Sequence, residues 1–583
     1  MATSVCNENP SCAPLPALTD LPILGAAGSL GDLGRPAEHE PQYDRAWNGM
    51  KPTGQLQYFH SKIDGTLVPC AVCATDMTDE PKPLIVEVSP GAMSDLPGCV
   101  AQAEGMARVA SEHGLSCVVL RATGRGSGSV YQHYGEIDVF EAIEHVKEHF
   151  AIDEDRISVT GASMGGAATW YLISHYPDVF AAAAPFCGYC DYRLWEKPGG
   201  ATFHMHEWEE PSWRSRSAAL LIENLAHTKV WMVHGEWDRG VGGGVPVEHS
   251  RQMVRLFEAA GYDFRYTEVP ETGHSCRLPE VVDEVVPWLL RQQKERDPER
   301  VAHAAFTLRH NRSHWVSIEQ FEVYDRKAMV DARINGTAVE VSTENVTSFA
   351  LAPRHVEAEL TGLNATVTVD GTGLAGIDFS AGAGFFTKDA GGAWQQGRAR
   401  GKRHGASGPI GDLFFDGTLL VPGSCGSRFE THVMGDMAAD AATFYRSRNG
   451  GVHRGGIPGD NTVTLRVCDD ADLTVEERRQ HNLILYGTHS SNSVLRQYGE
   501  SIPITFEEDC IRIRDKEYRG ESYAAVAIFP HPEHDQRYVA VHGGTTEDAI
   551  CWGSHLDMAL LPDYLVYAKG EVIEWGFWDS EWR

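Results

Sequence analysis

The chain has 583 residues and a formal net charge of −31, with 42% apolar and 22% charged residues. That length is too great for one hydrophobic core and calls for several domains. The negative charge argues against nucleic acid or an anionic membrane as partner, since phosphate binding needs clustered Lys and Arg, and no apolar run reaches the ~18 residues of a membrane-spanning helix.

Residues 1–50 are rich in Pro, Gly and Ala and read as an N-terminal extension. No Lys or Arg precedes Arg35, so the positive start of a secretory signal is missing and a cytoplasmic location is expected. Over 51–300 strand and helix patterns alternate. A hairpin turns at Asp64-Gly65, "PLIVEVSP" is a buried strand, and a helix runs near Ala101 to Glu112. "SCVVLRAT" is the next strand and "DVFEAIEHVKEHF" the next helix. "RISVTG" leads into a helix over Ala167 to Ile173. "VFAAAAPF" is a strand, "SAALLIENLA" a helix, "KVWMVHG" a strand, and "EHSRQMVRLFEAAG" a helix ended by Gly261. "DFRYTEVP" and the helix "PEVVDEVVPWLLRQQKE" close the series. Such alternation implies a mostly parallel sheet with helices on both faces, and ligands bind such sheets beyond the carboxyl ends of the strands.

A charged linker follows. Residues 303–395 alternate apolar and polar with many β-branched residues, which predicts a β-rich module. "AGGAWQQGRARGKRHGASGPIGD" reads as a solvated basic loop. Strand and helix patterns return over 405–583 as a smaller α/β domain, with strands such as "GTLLVPG", "NLILYG" and "RYVAVHGG", a helix near Asp436 to Arg446, and Ser490, Ser491 and Asn492 as the cap of another. The fold class expected is therefore α/β, with the large N-terminal sheet, the β-rich module and the smaller α/β domain in that order.

The chemistry concentrates at Gly161-Ala162-Ser163-Met164-Gly165, a G-x-S-x-G sequence between a strand and a helix. A serine on such a sharp turn stands clear of the sheet, and the helix N-terminus beside it favours negative charge. A serine hydroxyl needs a base to take its proton and a carboxylate to orient that base. For a nucleophile on this kind of turn the partners follow in the order acid, then His. Asp238, in "MVHGEWDRG", and His274, in "EVPETGHSCRLPE", each lie just beyond a strand and fill those places. Glu236 is a rival acid, and His234 also ends a strand. One oxyanion donor is the N–H of Met164; the second is assigned to Ala92 in "VEVSPGAMSDL", with Gly91 as the fallback, because Pro90 has no N–H.

Thirteen cysteines without an export signal read as free thiols. Cys70 and Cys73 form a C-x-x-C on a strand, where residues three apart face opposite ways. Cys187 and Cys190 follow a strand and have no second C-x-x-C or His pair to complete a metal site; "HMHE" at His204 to Glu207 lacks a third strong ligand. No metal is expected.

With these residues in view, the chain resembles the α/β-hydrolase superfamily, specifically the prolyl oligopeptidase-like (S9-like) and esterase groups, over about residues 50–300. The segments that carry the likeness are "GEIDVFEAIEHVKEHFAIDEDRISVTGASMGGAATWYLISHYPDVFAAAAPFCG", "HGEWD" and "ETGHS". "SPGAMS" looks like the oxyanion loop of polyester-cleaving hydrolases, in favour of Ala92. The resemblance implies a Ser-Asp-His triad and no cofactor. The sequence departs from the family where D-x-x-V-P is expanded to "DRGVGGGVP", so that Gly242 to Gly244 bear on the placement of Asp238. It also departs in having only ~50 residues where prolyl oligopeptidases have a propeller. The C-terminal half is similar to accessory regions of bacterial S9-like hydrolases.

An aromatic insertion over about 188–215 is expected to cap the pocket, with Tyr189, Tyr192, Trp195, Phe203 and Trp208 facing a small, apolar or aromatic acyl group. The expected function is hydrolysis of a carboxylic ester through an acyl-enzyme, with a small-molecule ester or acyl compound as substrate and neither nucleic acid nor membrane as partner. The alternatives are a peptidase or amidase, a biosynthetic acyltransferase or lactonising enzyme with the same triad, and a binding or assembly protein with a vestigial one.

Overall fold

The computed structural model describes residues 53–88, 95–126, 131–196, 206–239, 244–353, 365–379, 382–442, 465–507, 509–554 and 556–583. The chain divides into two compact units, Met1–Ala46 and Trp47–Arg583, and all described residues belong to the second.

The first sheet has eight strands: β1 (Gln55–His60), β2 (Leu67–Ala74), β3 (Lys82–Val88), β4 (Val118–Ala122), β5 (Ile152–Ala162), β6 (Ala182–Phe186), β7 (Lys229–Gly235) and β8 (Phe264–Val269). Their spatial order is β1-β2-β4-β3-β5-β6-β7-β8. β1 and β2 are antiparallel to their neighbours, and all the rest are parallel. This is the α/β-hydrolase arrangement. Buried runs such as "PLIVEV" form the central strands because both faces are covered, as parallel sheets require. Helices α1 (Leu96–Glu112) and α6 (Pro279–Leu290) cover one face, where Ile85 and Val119 meet Met106, Val286 and Leu290. Helices α2 (Tyr134–His149), α3 (Met164–His175) and α5 (Glu248–Ala260) cover the other, where Val86, Leu120 and Val159 meet Val139, Leu172 and Phe257. The period of two sorts Cys70 into the second core and Cys73 into the first. A short helix, α4 (Glu210–Ser215), lies in the insertion after β6.

Residues 300–396 form two five-stranded sheets packed on one core, in which Val330, Ala332 and Ile334 from one sheet meet Ile318, Phe349 and Phe386 from the other. Strand Ala328–Asn335 alternates buried and more exposed residues, as a one-face-buried strand must. The third part is a seven-stranded sheet, in the order Arg466–Val467, Thr418–Pro422, Asn482–Tyr486, Tyr538–Gly544, Tyr523–Pro530, Tyr564–Ala568, Glu571–Gly576. Its first four strands are parallel and the others antiparallel. The side chain of Asn492 caps the helix Ser493–Tyr498 by accepting from Val494 and Leu495 N–H.

Three sequence expectations differ from the structure. "SAALLIENLA" is two short 3₁₀ turns, Ala218–Leu220 and Ile222–Leu225, rather than a helix. Asn224 sets the path. Its Nδ2 donates to Ser174 O at 2.7 Å and to Ala304 O at 2.9 Å, and its Oδ1 accepts from Ala304 N–H at 2.7 Å. These tertiary bonds fasten the segment between α3 and the β-sandwich. Helix α6 stops at Leu290 because the next residues turn back to β5: Lys294 Nζ donates to Asp178 O, and Arg296 pairs with Asp155 at 2.7 Å. The basic stretch near residue 400 is exposed at Arg398, Arg400, Arg403 and His404, as expected of a solvated loop, but not at Lys402. Lys402 is fully buried and pairs at 2.5 Å with Asp563, itself fully buried. Gly401, at φ +93°, lies against the backbone of Ser580 where a Cβ would collide.

That buried pair yields a test. Removing one partner strands a charge away from water, which costs about 3–5 kcal/mol, whereas replacing both with apolar groups of similar size is near neutral. Asp563→Ala is expected to lower the urea midpoint sharply, and Lys402→Met/Asp563→Leu to recover most of the loss. Equal midpoints for Asp563→Ala and the parent chain would contradict this.

Candidate active site

Ser163 sits between β5 and α3 with φ 59° and ψ −117°, a conformation that L-residues avoid. Packing holds it there. Ser163 N–H donates to Phe186 O at 2.8 Å on β6. A Cβ on Gly161 would overlap the carbonyl oxygen of Val88 and the backbone of Gly165. A Cβ on Gly166 would overlap Phe186 O and the backbone of Gly188, and one on Gly188 would meet Gly166 in turn. Gly161 and Gly165 thus crowd each other as the motif suggests. The second crossing, Gly166 against Gly188, leaves no local signal because it joins the first turn of α3 to the segment after β6.

His274 follows β8 and Asp238 follows β7. The two loops are locked back to back: Glu236 N–H donates to Val269 O at 3.0 Å and Trp237 N–H to Thr272 O at 2.9 Å. A Cβ on Gly235 would strike the carbonyls of Thr272 and Gly273. Asp238 itself is fixed by Asp238 N–H to Gly235 O at 3.1 Å and Val247 N–H to Asp238 O at 2.9 Å. The structure brings the three side chains into one line. His274 Nδ1 lies 2.5 Å from Asp238 Oδ2, and His274 Nε2 lies 2.8 Å from Ser163 Oγ. Asp238 is 3% exposed while His274 is 31% exposed, so the carboxylate is screened from water and the imidazole is only partly so.

His234 is not in line with Ser163. It is fully buried on the far side of Asp238, with Nε2 3.5 Å from Oδ2, 2.9 Å from Val245 O, and Nδ1 2.7 Å from Ser250 Oγ. Glu236 is exposed and accepts from Glu271 N–H at 2.9 Å, which steadies the turn before His274. Burial works to raise the pKa of Asp238, but hydrogen bonds from His234 and His274 prevail and hold its carboxyl well below the usual range. Burial works to lower the pKa of His274, and the Asp238 hydrogen bond prevails, so it lies above the ordinary histidine value. Such a line of groups can take a proton from a hydroxyl and hold the resulting imidazolium beside a charged carboxylate.

Met164 opens α3, where the first N–H groups have no intrahelical acceptor. Its side chain packs in a buried cluster with Ala167, Tyr189, Trp213, Val245 and Leu560, and Tyr192 lies against it. Tyr189 and Tyr192 meet edge to face at 5.2 Å, and Tyr192 OH accepts from Gln132 Nε2 at 3.0 Å. Trp208 is elsewhere: it stacks on His206 at 4.2 Å and packs against the core of the C-terminal sheet. Trp195 belongs to the 3₁₀ segment Tyr192–Glu196. Ala92, Gly91, Phe203, Gly242 and Gly243 lie outside the described residues, whereas Gly244 is buried. Sequence reasoning missed Trp213, which its place in the aromatic insertion signals, and Val245 and Leu560, which nothing local signals. Two groups of ligand-type atoms lie within 4.8 Å of one another among the described residues: His145, Glu148 and His149 on α2, and Cys187, Asp238 and His274.

Residues 118–295 match the family model described as the prolyl oligopeptidase family. The chain is 24% identical over 506 residues to an uncharacterized secreted protein of Arthroderma benhamiae, a match covering 78% of this chain and 51% of that one. It is 28% identical over 160 residues to the acylamino-acid-releasing enzyme of Arabidopsis thaliana, covering 24% of this chain and 20% of the other. The chain thus spans about half the length of the first relative and a fifth of the second. Among solved structures, a thermostable esterase aligns with 23% identity and a TM-score of 0.33, over 41% of this chain and 63% of its own.

The elbow gives the sharpest prediction. Gly161→Ala places a Cβ against two backbone groups that cannot rotate away, so Ser163 must shift. A displacement near 1 Å costs about 10²-fold in reactivity. Labelling of Ser163 by a fluorophosphonate is expected to slow by that order in a variant with parental circular dichroism.

Proposed function

We propose that the protein is a serine hydrolase that cleaves carboxylic esters through an acyl-enzyme. The observation that carries this reading is the line Asp238–His274–Ser163, with separations of 2.5 and 2.8 Å. In it, Ser163 Oγ attacks the substrate carbonyl while His274 Nε2 takes its proton. Asp238 keeps Nδ1 protonated and stabilises the imidazolium. His274 then returns the proton to the leaving alcohol, and water repeats the sequence to free the acid. The N–H of Met164 receives the oxyanion, with the Ala92 loop as the second donor; each such donor contributes about 3–4 kcal/mol in the transition state. Tyr189 and Tyr192 bound the acyl side of the site.

The match to the prolyl oligopeptidase family favours a second reading, peptide or amide cleavage by the same residues. Parallel assays with aryl esters and aminoacyl anilides separate the two. Ester turnover lost by at least about 10⁴-fold in Ser163→Ala, together with much slower anilide cleavage, is the expected result. Faster anilide than ester turnover would favour the peptidase, and an unlabelled, inactive but folded parent chain would remove both.

The pH profile follows from the shifted groups. The base form of His274 is present above its raised value and is lost as pH falls through it. The acid limb of kcat/KM is therefore expected to have its midpoint above the ordinary histidine value of about 6.5. Asp238→Asn removes the hydrogen bond that raises it. That limb should move to lower pH while the rate falls by about 10⁴-fold.

A further inference from the structure

Cys187 directly follows β6, next to the crossing that fixes Ser163, and Cys276 stands two residues after His274. Their sulfurs are 2.9 Å apart, closer than two unbonded sulfurs in van der Waals contact. Cys187 Sγ also donates to His274 O at 3.1 Å, and Cys276 N–H donates to the same carbonyl at 3.0 Å. Cys187 N–H donates to Val233 O at 2.9 Å on β7. The backbone on both sides of the sulfur pair is therefore already held in place. A disulfide bond of about 2.05 Å needs the sulfurs to close by less than about 1 Å.

We propose that Cys187 and Cys276 form a disulfide that clamps the His274 loop to the end of β6. The bond would close a loop between residues 89 apart, a span over which cross-linking restricts the unfolded chain considerably. Neither of the two C-x-x-C motifs contains this pair: the sulfur of Cys190 turns instead to His249 O at 3.3 Å.

The oxidant is an organic disulfide such as oxidised glutathione. One cysteine thiolate attacks it, forming a mixed disulfide and releasing one small thiol. The second cysteine thiolate then displaces the other small thiol as the protein S–S bond forms. The two protein thiols lose two protons and two electrons, and the organic disulfide becomes two thiols. Cys187 and Cys276 are 1% and 0% exposed, so exchange takes place before the His274 loop closes over β6. In the folded reduced chain the hydrogen bond to Cys276, with burial, pushes the Cys187 thiol up, which keeps it protonated and slow to exchange. Oxidation gives up the bond from Cys187 to His274 O and replaces it with a covalent tie through Cys276.

The full chain is refolded with a mixture of reduced and oxidised glutathione, alkylated after denaturation, and digested without reductant. The expected result is one cross-linked peptide pair joining Cys187 to Cys276, two hydrogen masses lighter than the separate peptides and split by dithiothreitol. Alkylation of both cysteines, or either sulfur joined to a different cysteine, would overturn the proposal. A second measurement does not depend on digestion. The unfolding temperature of the oxidised parent chain should fall by several degrees on reduction, and that of Cys187→Ser should not. Equal shifts in the two would also overturn it.

Discussion

The site depends on how closely β5, α3 and β6 pass one another. The carbonyl of Val88, the backbone of Gly161 and Gly165, and the pair Gly166 and Gly188 leave no room for a Cβ. Only at that spacing can β6 supply Phe186 O to the N–H of Ser163 and keep the serine at φ 59°. A backbone conformation that would relax in solution is thereby made the single state of the fold, with the strain of order 1–3 kcal/mol absorbed by the buried sheet around it.

The partners are placed by a second constraint of the same kind. The loops after β7 and β8 are bonded backbone to backbone, so Asp238 and His274 move as one body. Asp238 gains from two imidazoles. His274 Nδ1 lies 2.5 Å from its Oδ2, and Nε2 of the buried His234 lies 3.5 Å from the same oxygen. Burial alone would favour the neutral acid, and the two imidazoles reverse that outcome. A charged carboxylate shielded from water orients a histidine more strongly than an exposed one, because the local dielectric is lower.

The regions after residue 300 are joined to the N-terminal α/β body by buried polar groups. Glu136 on α2 accepts from Tyr171 OH at 2.6 Å and from Tyr176 OH, and it lies 3.1 Å from His310 Nε2 in the β-sandwich segment. Arg309 pairs with Asp412 at 2.8 Å, and Asp412 accepts from Tyr538 OH at 2.5 Å. Arg216, beside the cap, donates to Ala559 O at 2.9 Å, and the next residue, Leu560, enters the cluster that holds Met164. The C-terminal region thus reaches, through Leu560, the cluster that holds Met164 beside Ser163.

Much of this was legible in the chain itself. The alternation of apolar runs and helical periods pointed to the strands of the first sheet, to a β-rich module and to a smaller α/β domain, because a buried strand and an amphipathic helix each leave a pattern of their own. The residues Ser163, Asp238 and His274 stood out because each follows a strand, where an open α/β sheet presents its ligands. What the pattern did not contain was anything decided by a distant partner. Asn224 broke a helical reading through bonds to Ser174 and Ala304, and Lys402 was drawn from an apparent surface loop into a buried pair with Asp563. Trp208 turned to another core, while Leu560 and Val245 arrived beside Met164 from elsewhere in the chain. Cys187 met Cys276 rather than Cys190. Local sequence determines periodicity, turns and the order of strand ends, since these are short-range properties of the backbone. Which buried polar group finds which partner is decided only when the layers pack, because the cost of an unsatisfied charge or donor is set by everything around it.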